Sequence, residues 1–272
     1  MSVNFDISKK VPVNDMGLEN LLYEPKGNVG VISLNRPEKR NALSRGLLME
    51  LTGFINELAL DKKVNVIIIK GLGKTFSAGH DLKEIYESDP QEVLKLFQTC
   101  YQTMQAIREI SKPVIAQVHG VATAAGCQLV AACDLAVAAE DALFGTPGVK
   151  IGIFCTTPAV FLSRNVGRKK AMEMLLTGDL ISASEALLHG LVNKVVPLEN
   201  LDSETFSMAE KIAGLSASAI AVGKRAFYQQ LNMDDFQALN YASEVISLNS
   251  TTRDAREGIG AFIEKREPKW KD

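Results

Sequence analysis

Residues 112–134 read KPVIAQVHGVATAAGCQLVAACD, and this stretch contains the strand, turn and helix that decide the fold. The apolar run PVIAQV at 113–118 is typical of a short, buried strand. Gly120 ends that strand, and the small residues 122–126 then open a helix. Small side chains there let a ligand approach the free N–H groups of the first helical turn, although they equally suit tight packing of the helix on the sheet.

Further apolar runs of strand length lie on both sides of this stretch and alternate with helical patterns. The predicted strands are 29–34, 64–69, 113–118 and 135–138, and the predicted helices are 44–60, 90–110 and 126–133, the first of them capped by Ser44. Strands that alternate with helices imply right-handed crossovers and a mostly parallel sheet. The sequence therefore predicts an α/β fold.

After about Pro158 the pattern becomes helical, with only a short strand-like piece at 195–196. Apolar residues recur there at a spacing of three to four, as in amphipathic helices. The helical stretches are 208–231, 234–249 and 252–265. Exposed apolar faces on such helices usually pack on a neighbouring subunit, so we expect a homo-oligomer. We predict a flexible N-terminal arm at 1–20, an α/β core at 21–200 and a helical oligomerisation region at 201–272.

The bulk composition excludes several functional classes. The chain has 272 residues, 46% hydrophobic and 23% charged, which suits a large globular domain with a small appendage. Its net charge of −2 provides no positive field for nucleic acid or for an anionic membrane surface. Since no apolar run approaches the roughly 20 residues that cross a bilayer, we expect neither nucleic acid nor a membrane as partner.

The cysteines and the N-terminus bear on the cellular compartment. The four cysteines form no CxxC pair and lie among apolar or small residues, which favours reduced thiols. Residues 1–15 lack the apolar run of a secretory signal and the Arg-rich composition of a transit peptide. The sequence therefore predicts a cytoplasmic protein, or a mitochondrial matrix protein if the source is eukaryotic and a transit peptide has been removed.

The segment NRPEKRNAL at 35–43 follows a predicted strand and contains three basic residues, Arg36, Lys39 and Arg40. Guanidinium and ammonium groups are common partners of phosphate, so this segment suits a phosphorylated ligand. The alternative is a strand-to-helix loop in which the proline and Asn41 serve only the turn.

A second loop, GKTFSAGHDLKE at 73–84, leads into a predicted helix. Gly79 lets the backbone bend close to a ligand, because no side chain stands in the way. Asp81 is predicted to be the N-cap of the helix, whose first N–H groups have no helical partner. His80 lies between these two residues and could titrate near neutrality.

These three segments, in this order and spacing, resemble the crotonase (enoyl-CoA hydratase/isomerase) superfamily. The resemblance continues through FGTPGVKIGIF at 144–154, through 166–197 and through EGIGAFIEKR at 257–266, so it covers nearly everything after about residue 21. It implies the crotonase α/β fold, a spiral of β-β-α units. It also implies that the C-terminal helices form homotrimers, often paired into hexamers.

The resemblance further implies an acyl-CoA thioester as ligand, held with its carbonyl oxygen in an oxyanion hole of two backbone N–H groups. By the match of SAGHD and TAAGCQ, these are the N–H groups of Ala78 and Ala125. Gly79, His80 and Asp81 then lie beside the thioester. Losing one such donor typically costs on the order of 10²–10³ in rate.

Contacts with the coenzyme A moiety are implied in the same way. The 35–43 loop, with Arg36, Lys39 and Arg40, would line the CoA nucleotide, and Lys265 would reach CoA phosphates, often across a subunit boundary. Coenzyme A as part of the substrate is the only cofactor expected. The sequence has no cluster of metal-binding spacing and no GxxxxGK phosphate loop.

Two positions depart from the family pattern. Where hydratases of this family use two glutamates to activate water and to exchange the α-proton, this chain has Gln128 and Gly148. An amide can hold a water molecule but takes up no proton at neutral pH, and glycine offers no group at all. Since each positioned acid or base contributes roughly 10²–10⁴ in rate, we expect hydration to be feeble.

Few residues could replace these acids. His80 is the first candidate, although a histidine in a loop is more often a structural hydrogen bonder. The other candidates near the two positions lack an evident partner base, and the remaining histidines are interpreted as structural. These residues are Cys127, Thr146 and Cys155 near the two positions, and the histidines His119 and His189.

Three functions stay open from the sequence. The first is an enzyme that stabilises a thioester enolate, either hydrating or isomerising an enoyl-CoA or decarboxylating a malonyl-type thioester without a dedicated base. The second is a non-catalytic acyl-CoA binding or scavenging protein. The third is a hydrolase that uses Ser77 or Cys127 with His80, for which no orienting acid is evident.

Overall fold

Nine β-strands and eleven α-helices follow one another along residues 17–270, the part of the chain that this computed structural model describes. The strands are β1 Leu21–Lys26, β2 Val29–Leu34, β3 Val66–Gly71, β4 Val114–Val118, β5 Val121–Thr123, β6 Leu135–Ala139, β7 Leu143–Gly145, β8 Leu180–Ser182 and β9 Lys194–Val196. The helices are α1 Arg45–Leu60, α2 Leu82–Glu87, α3 Pro90–Glu109, α4 Ala125–Ala132, α5 Thr156–Asn165, α6 Arg168–Thr177, α7 Ala183–Leu188, α8 Leu201–Ala213, α9 Ala217–Gln230, α10 Asp235–Asn249 and α11 Arg253–Glu264.

The main sheet has the strand order β1-β2-β3-β4-β6-β9. The edge strand β1 pairs antiparallel with β2, and every other neighbouring pair is parallel. Parallel neighbours need a crossover connection, which α1, α3 and α4 provide. The predicted α/β core with a mostly parallel sheet is therefore confirmed, whereas β1 was not predicted.

Both faces of the main sheet are buried, which explains why its strands read as continuous apolar runs. In β3, Ile67 and Ile69 point into the larger core, whereas Val66 and Ile68 point to the opposite face. That opposite face is covered by α8, whose Leu201 is buried in the same cluster. Helix α8 lies in the predicted oligomerisation region, but in the structure it completes the core.

A second sheet, in the order β5-β7-β8, lies beside the start of α4. Strand β7 pairs parallel with β5 and antiparallel with β8. Ala122 of β5 also forms an isolated bridge with Ser77, so this sheet holds the 73–80 loop against the segment that leads into α4.

Glycines allow the two loops to touch. A Cβ atom on Gly126 would lie 2.4 Å from the backbone oxygen of Ser77, and one on Gly120 would lie 2.1 Å from that of Lys74. A hydrogen bond from the Thr123 N–H to the Ser77 oxygen, at 3.0 Å, fixes the contact. The loop and the start of α4 are therefore positioned as one rigid unit.

The C-terminal helices differ from the prediction in one respect. The stretch 208–231, predicted to be helical throughout, is divided at 214–216 into α8 and α9. Ser216 caps α9 and donates its hydroxyl hydrogen bond to the carboxylate of Asp254 in α11, at 2.6 Å. This long-range partner stabilises a helix start that the local sequence pattern does not reveal.

The other predicted elements agree with the structure to within about two residues at their ends. Ser44 and Asp81 cap α1 and α2 as predicted, because their side chains accept the N–H groups of Leu47 and Lys83 at 3.3 and 3.2 Å. The predicted arm at 1–20 lies almost wholly outside the described residues. Within 17–270, no helix has the length and apolar character needed to span a membrane.

Candidate active site

A cavity of about 470 Å³ opens where the 77–80 loop meets the start of α4. Its walls are mostly apolar and, within the described chain, include no aspartate or glutamate. The lining residues are Ala78, His80, Leu82, Ile85, Phe97, Ala124, Ala125, Pro147, Gly148, Lys150, Ile151, Ile153, Phe154, Cys155, Thr156, Thr157 and Pro158. An apolar cleft of this size with a few polar groups is the usual form of a small-molecule site.

The first turn of α4 contributes a free N–H group to this cavity. Ala124 precedes the helix with a φ of 49°, and its own N–H donates to the oxygen of Gly145 at 2.8 Å. The N–H of Gln128 makes the first helical bond, back to Ala124. Within residues 17–270 the N–H of Ala125 has no acceptor, and it lies at the positive end of the helix dipole.

The N–H of Ala78, predicted to be the second donor, is already used. It donates to the carbonyl oxygen of Arg40 at 3.0 Å, in a turn where Arg40 and Asn41 have left-handed φ angles of 53° and 51°. The next N–H of this loop without an acceptor in the described chain is that of His80, which also lines the cavity. The prediction that the Ala78 N–H is a free donor is therefore corrected, and His80 supplies it instead.

Gly79 sets the distance between the loop and α4. Its φ is 94°, and a Cβ atom there would lie 2.9 Å from the Cβ of Ala124 and 3.3 Å from the nitrogen of Ala125. Because Gly79 has no side chain, the loop can lie this close to the start of α4, and His80 and Ala125 line the same cavity. Two N–H groups held in place by the backbone at one cavity are suited to an oxygen that gains negative charge.

The side chain of His80 has a buried Nε2 with no hydrogen-bond partner in residues 17–270. The ring packs edge-on against Phe97, with 4.8 Å between centroids. Burial lowers the pKa of His80 to about 4, so the imidazole is neutral at pH 7. A group with so low a pKa is a weak base, which favours hydrogen bonding to a ligand over proton abstraction.

Gly148 lies in the cavity wall with no space for a side chain. A Cβ atom there would lie 2.5 Å from the backbone oxygen of Ile153 and 2.7 Å from Sγ of Cys155. Because one obstacle is backbone, a longer residue at position 148 requires the 153–155 segment to move. In this structure a glutamate side chain therefore does not fit at position 148, where the family pattern has its second glutamate.

Gln128 does not line this cavity, although it lies one turn after Ala125 on α4. It lines a neighbouring cavity of about 340 Å³, and its Oε1 is buried without a hydrogen bond in the described chain. Thr157 lines both cavities, which are therefore adjacent. The two positions that the family pattern pairs open onto different cavities here.

Residues 24–272 match the family model described as enoyl-CoA hydratase/isomerase. The chain belongs to the enoyl-CoA hydratase/isomerase family. Among curated relatives, the human protein named "Enoyl-CoA hydratase domain-containing protein 3, mitochondrial" is 50% identical over 240 residues, which cover 88% of this chain and 79% of that protein. The mouse protein of the same name is also 50% identical over 240 residues, covering 88% of this chain and 80% of the relative.

Solved structures confirm the crotonase fold that the sequence predicts. The human enoyl-CoA hydratase domain-containing protein 3 has a TM-score of 0.90 at 47% identity, with 93% of this chain and 100% of that chain covered. An enoyl-CoA hydratase from Mycobacterium smegmatis also has a TM-score of 0.90, at 46% identity, with 93% and 99% covered.

In this member of the family, the Arg36 side chain forms an ion pair with Asp81 and is not free to bind a phosphate. Its Nη2 is 3.0 Å from Oδ2 of Asp81, and both side chains are largely buried, at 17% and 18% exposed. Burial of Asp81 disfavours its charged form, but hydrogen bonds from Arg36 and the backbone hold its pKa below the usual value. The pair ties the 35–43 loop to the start of α2.

The other residues predicted to contact CoA lie outside the cavity wall. Lys39 and Arg40 are exposed on the 35–43 loop. Lys265 is exposed at the end of α11, in a left-handed conformation. Whether they contact CoA stays a prediction.

Asn41 has a role that the sequence did not reveal. It is fully buried, and its side chain accepts the N–H of Arg36 at 3.0 Å and donates to the oxygen of Thr75 at 2.7 Å. It therefore supports the turn whose carbonyl takes the Ala78 N–H. In the sequence Asn41 is only an asparagine in a loop, which indicates a turn residue and gives no sign of its burial.

The nucleophiles of the hydrolase alternative are not poised for attack. Ser77 is fully buried, and its Oγ donates to the oxygen of Asn41 at 2.8 Å. Burial raises the pKa of Cys127 to about 12 and also raises that of Cys155, so both are thiols at neutral pH. All four cysteines are free and buried in the structure.

The remaining candidates lie outside the lining set of the cavity. His119 donates a hydrogen bond from Nε2 to the oxygen of Gly73, at 2.9 Å, and His189 is the C-cap of α7. Thr146 is fully buried, and its hydroxyl has no hydrogen-bond partner among the described residues. The apolar lining residues Leu82, Ile85 and Phe97 were not predicted, because their helical spacing indicates only a buried face.

The lowered pKa of His80 predicts a pH dependence of stability. Between pH 6.5 and about 4 the unfolded chain binds a proton at this residue and the folded chain does not, so stability is lost as the pH falls through this window. His80→Gln should make the urea midpoint fall less steeply than in the wild type between these pH values. His119→Gln is the control, and identical pH profiles for wild type and His80→Gln would contradict the prediction.

Proposed function

We propose that the protein binds an acyl-CoA thioester and stabilises the negative charge that develops on its carbonyl oxygen. The observation behind this proposal is the pair of unpartnered N–H groups, of His80 and Ala125, at one apolar cavity. Ala125 lies at a helix start, where a developing anion is stabilised by the helix dipole. The family membership supports a CoA thioester as the source of that carbonyl.

Ordinary hydration should be feeble, because the cavity provides no proton-transfer group of suitable pKa. Gln128 has an amide, which takes up no proton at neutral pH, and Gly148 has no side chain. His80 is a weak base with a pKa of about 4. The chemistry that remains is polarisation of the thioester and stabilisation of its enolate.

The direct test compares butyryl-CoA with its thioether analogue, S-butyl-CoA, which lacks the carbonyl. Calorimetry should show tighter binding of the thioester, and a ¹³C-labelled thioester carbonyl should show a lower infrared stretching frequency when bound. Equal affinity for the two ligands, or an unshifted carbonyl band, would contradict the proposal. Binding and a carbonyl shift without any turnover would identify the non-catalytic binding or scavenging alternative.

A glutamate at position 128, one helical turn beyond Ala125 and at the adjoining cavity, should add the missing base. We expect Gln128→Glu to raise the rate of crotonyl-CoA hydration by at least about 10²-fold, the lower end of what one positioned acid or base contributes. Gln102→Glu, on the exposed face of α3, is the matched control and should leave the rate unchanged. If Gln128→Glu binds butyryl-CoA normally yet gains no activity, position 128 does not reach the reacting atoms.

Decarboxylation is a second candidate, favoured by the absence of aspartate and glutamate from the described cavity lining. A malonyl-type thioester is itself anionic, and a carboxylate in the wall would repel it. In this reaction the bond from Cα to the carboxylate breaks, CO₂ leaves, and the electron pair forms the enolate, which solvent then protonates. Release of ¹⁴CO₂ from [¹⁴C]malonyl-CoA, labelled in the free carboxyl group, tests it directly.

We further propose that the C-terminal helices associate with other copies of the chain. Helices α9 and α10 have no buried residue, and Phe236 and Leu239 of α10 are 85% and 64% exposed. Association would cover these side chains, and light scattering measures the number of subunits. Lys265, at the end of the same region, could then reach CoA phosphates of a neighbour. The names of the human and mouse relatives support a mitochondrial location.

A further inference from the structure

The second cavity, which Gln128 lines, is displaced from the main cavity by one helical turn along each of the helices α3, α4 and α5. Phe97, Ala125 and Thr157 line the main cavity, and Tyr101, Gln128 and Phe161 line the second. Residues three or four apart on a helix lie on the same face, about 5–6 Å apart. The second cavity is therefore the continuation of the first, beyond the N–H of Ala125.

Gln128 presents an unsatisfied amide at this cavity. The residue is 3% exposed, and neither of its amide atoms has a hydrogen-bond partner within residues 17–270. Buried polar side chains are paired in the large majority of cases, and an unpaired amide costs about 1–3 kcal/mol. The buried unpaired atom is Oε1, and a half-turn of the amide group exchanges Oε1 and Nε2, so that Nε2 can donate to an acceptor on a ligand in this cavity.

Arg108 supplies a fixed positive charge in the same cavity. Its guanidinium lies between the rings of Phe161 and Tyr228, 5.2 and 4.2 Å from their centroids, and it donates to the oxygen of Ala131 at 2.6 Å. No carboxylate of the described chain forms an ion pair with it, and its Nε is buried without a partner. The rings and the backbone hold this charge in place without neutralising it.

We propose that the second cavity binds a carboxylate at the far end of the acyl group, so that the site selects short dicarboxylic acyl thioesters, such as succinyl and glutaryl, over plain fatty acyl thioesters. The carboxylate accepts a hydrogen bond from the amide of Gln128 and lies in the field of Arg108. This inference rests on the proposed function, because it assumes that the thioester carbonyl is held by the N–H groups of His80 and Ala125.

Glu109 carries a negative charge at the second cavity and should weaken binding of a ligand carboxylate, so its removal should have the opposite effect to removal of Arg108. It also lines the second cavity, is exposed, and accepts a hydrogen bond from Gln105 at 2.7 Å. Its negative charge repels a ligand carboxylate. Removing Arg108 and removing Glu109 should therefore change affinity for a dicarboxylic ligand with opposite sign.

The experiment measures the affinity of the intact protein for glutaryl-CoA and for valeryl-CoA, which has the same chain length without the carboxylate, by calorimetry. Wild type should prefer glutaryl-CoA. Arg108→Gln should weaken glutaryl-CoA binding roughly tenfold, the size of a charge-assisted contact, and leave valeryl-CoA binding unchanged. Glu109→Gln should strengthen glutaryl-CoA binding roughly two- to fivefold, as for an exposed charge.

Two more variants separate electrostatics from folding. Gln128→Glu places a like charge beside the ligand carboxylate and should weaken glutaryl-CoA binding only. Arg164→Gln, on α5 and outside the lining set of the cavity, is the matched control: its Nη1 also donates to a backbone oxygen, that of Val160, at 2.9 Å. This variant should change neither affinity. Thermal melting shows whether each variant is folded.

The outcomes are distinguishable. If neither CoA ester binds wild type, the proposed function fails and the inference fails with it. If both bind with equal affinity, or valeryl-CoA binds more tightly, the proposed function survives and the inference is wrong. A folded Arg108→Gln that weakens both ligands equally would mean that Arg108 supports the site only structurally, which also overturns the inference.

Discussion

Gly79→Ala is expected to remove the oxyanion-binding arrangement. The backbone φ of 94° is one that residues with a side chain rarely adopt, and the new Cβ would lie 2.9 Å from the Cβ of Ala124 and 3.0 Å from the oxygen of Thr123. The loop must then move away from α4, which separates the N–H groups of His80 and Ala125. Measured in the Gln128→Glu background, crotonyl-CoA hydration should fall by about 10²–10³-fold, the cost of losing one such donor.

The matched control is Gly53→Ala, in the same background. Gly53 lies in α1 with nothing within 4 Å of the added Cβ, so alanine fits and slightly favours the helix. The infrared shift of the bound thioester carbonyl should persist in this control and disappear in Gly79→Ala. A Gly79→Ala variant that keeps the shift and loses less than tenfold in rate would show that the two N–H groups do not act together.

Lys224→Met is expected to produce the largest loss of stability. Its Nζ lies 2.6 Å from Oδ2 of Asp134 and donates to the oxygens of Ile107 and Lys112, both at 2.9 Å. The two charged side chains are only 7% and 14% exposed. Removing the lysine leaves a buried carboxylate without its cation, which typically costs about 3–5 kcal/mol in the free energy of unfolding.

Urea unfolding at one fixed protein concentration measures this loss, because association of subunits would also change the apparent stability. Lys211→Met, on the exposed face of α8, is the control and should change the free energy of unfolding by less than about 0.5 kcal/mol. A loss below about 1 kcal/mol in Lys224→Met would mean that Asp134 is adequately stabilised by its other hydrogen bonds, from the N–H of Val114 and the hydroxyl of Tyr228.

The core was predictable because its signals are local. The apolar runs at 29–34 and 113–118 form strands that are buried on both faces, as parallel strands in an α/β core are. The caps Ser44 and Asp81 depend only on N–H groups two or three residues ahead. Strands β5, β7 and β8 were missed because three residues are too few to show a period of two.

The candidate site was predicted only in part. The sequence predicted a donor at Ala125, and this N–H has no acceptor within residues 17–270, because a helix start has unpaired N–H groups whatever surrounds it. It could not show that the carbonyl of Arg40 takes the N–H of Ala78, since that bond depends on the left-handed turn of a different loop. It also gave no sign that Gln128 and Gly148 open onto different cavities.

By itself, the sequence determined the α/β class, the family membership and the loss of glutamate from positions 128 and 148. Tertiary structure alone decided that Arg36 is bound by Asp81, 45 residues further along the chain, and that His80, not Ala78, offers the free N–H. The physical reason is the separation along the chain of the residues that interact. Periodicity and capping are set by neighbours within one or two turns, whereas the partner of each hydrogen bond in the site is set by how distant loops pack.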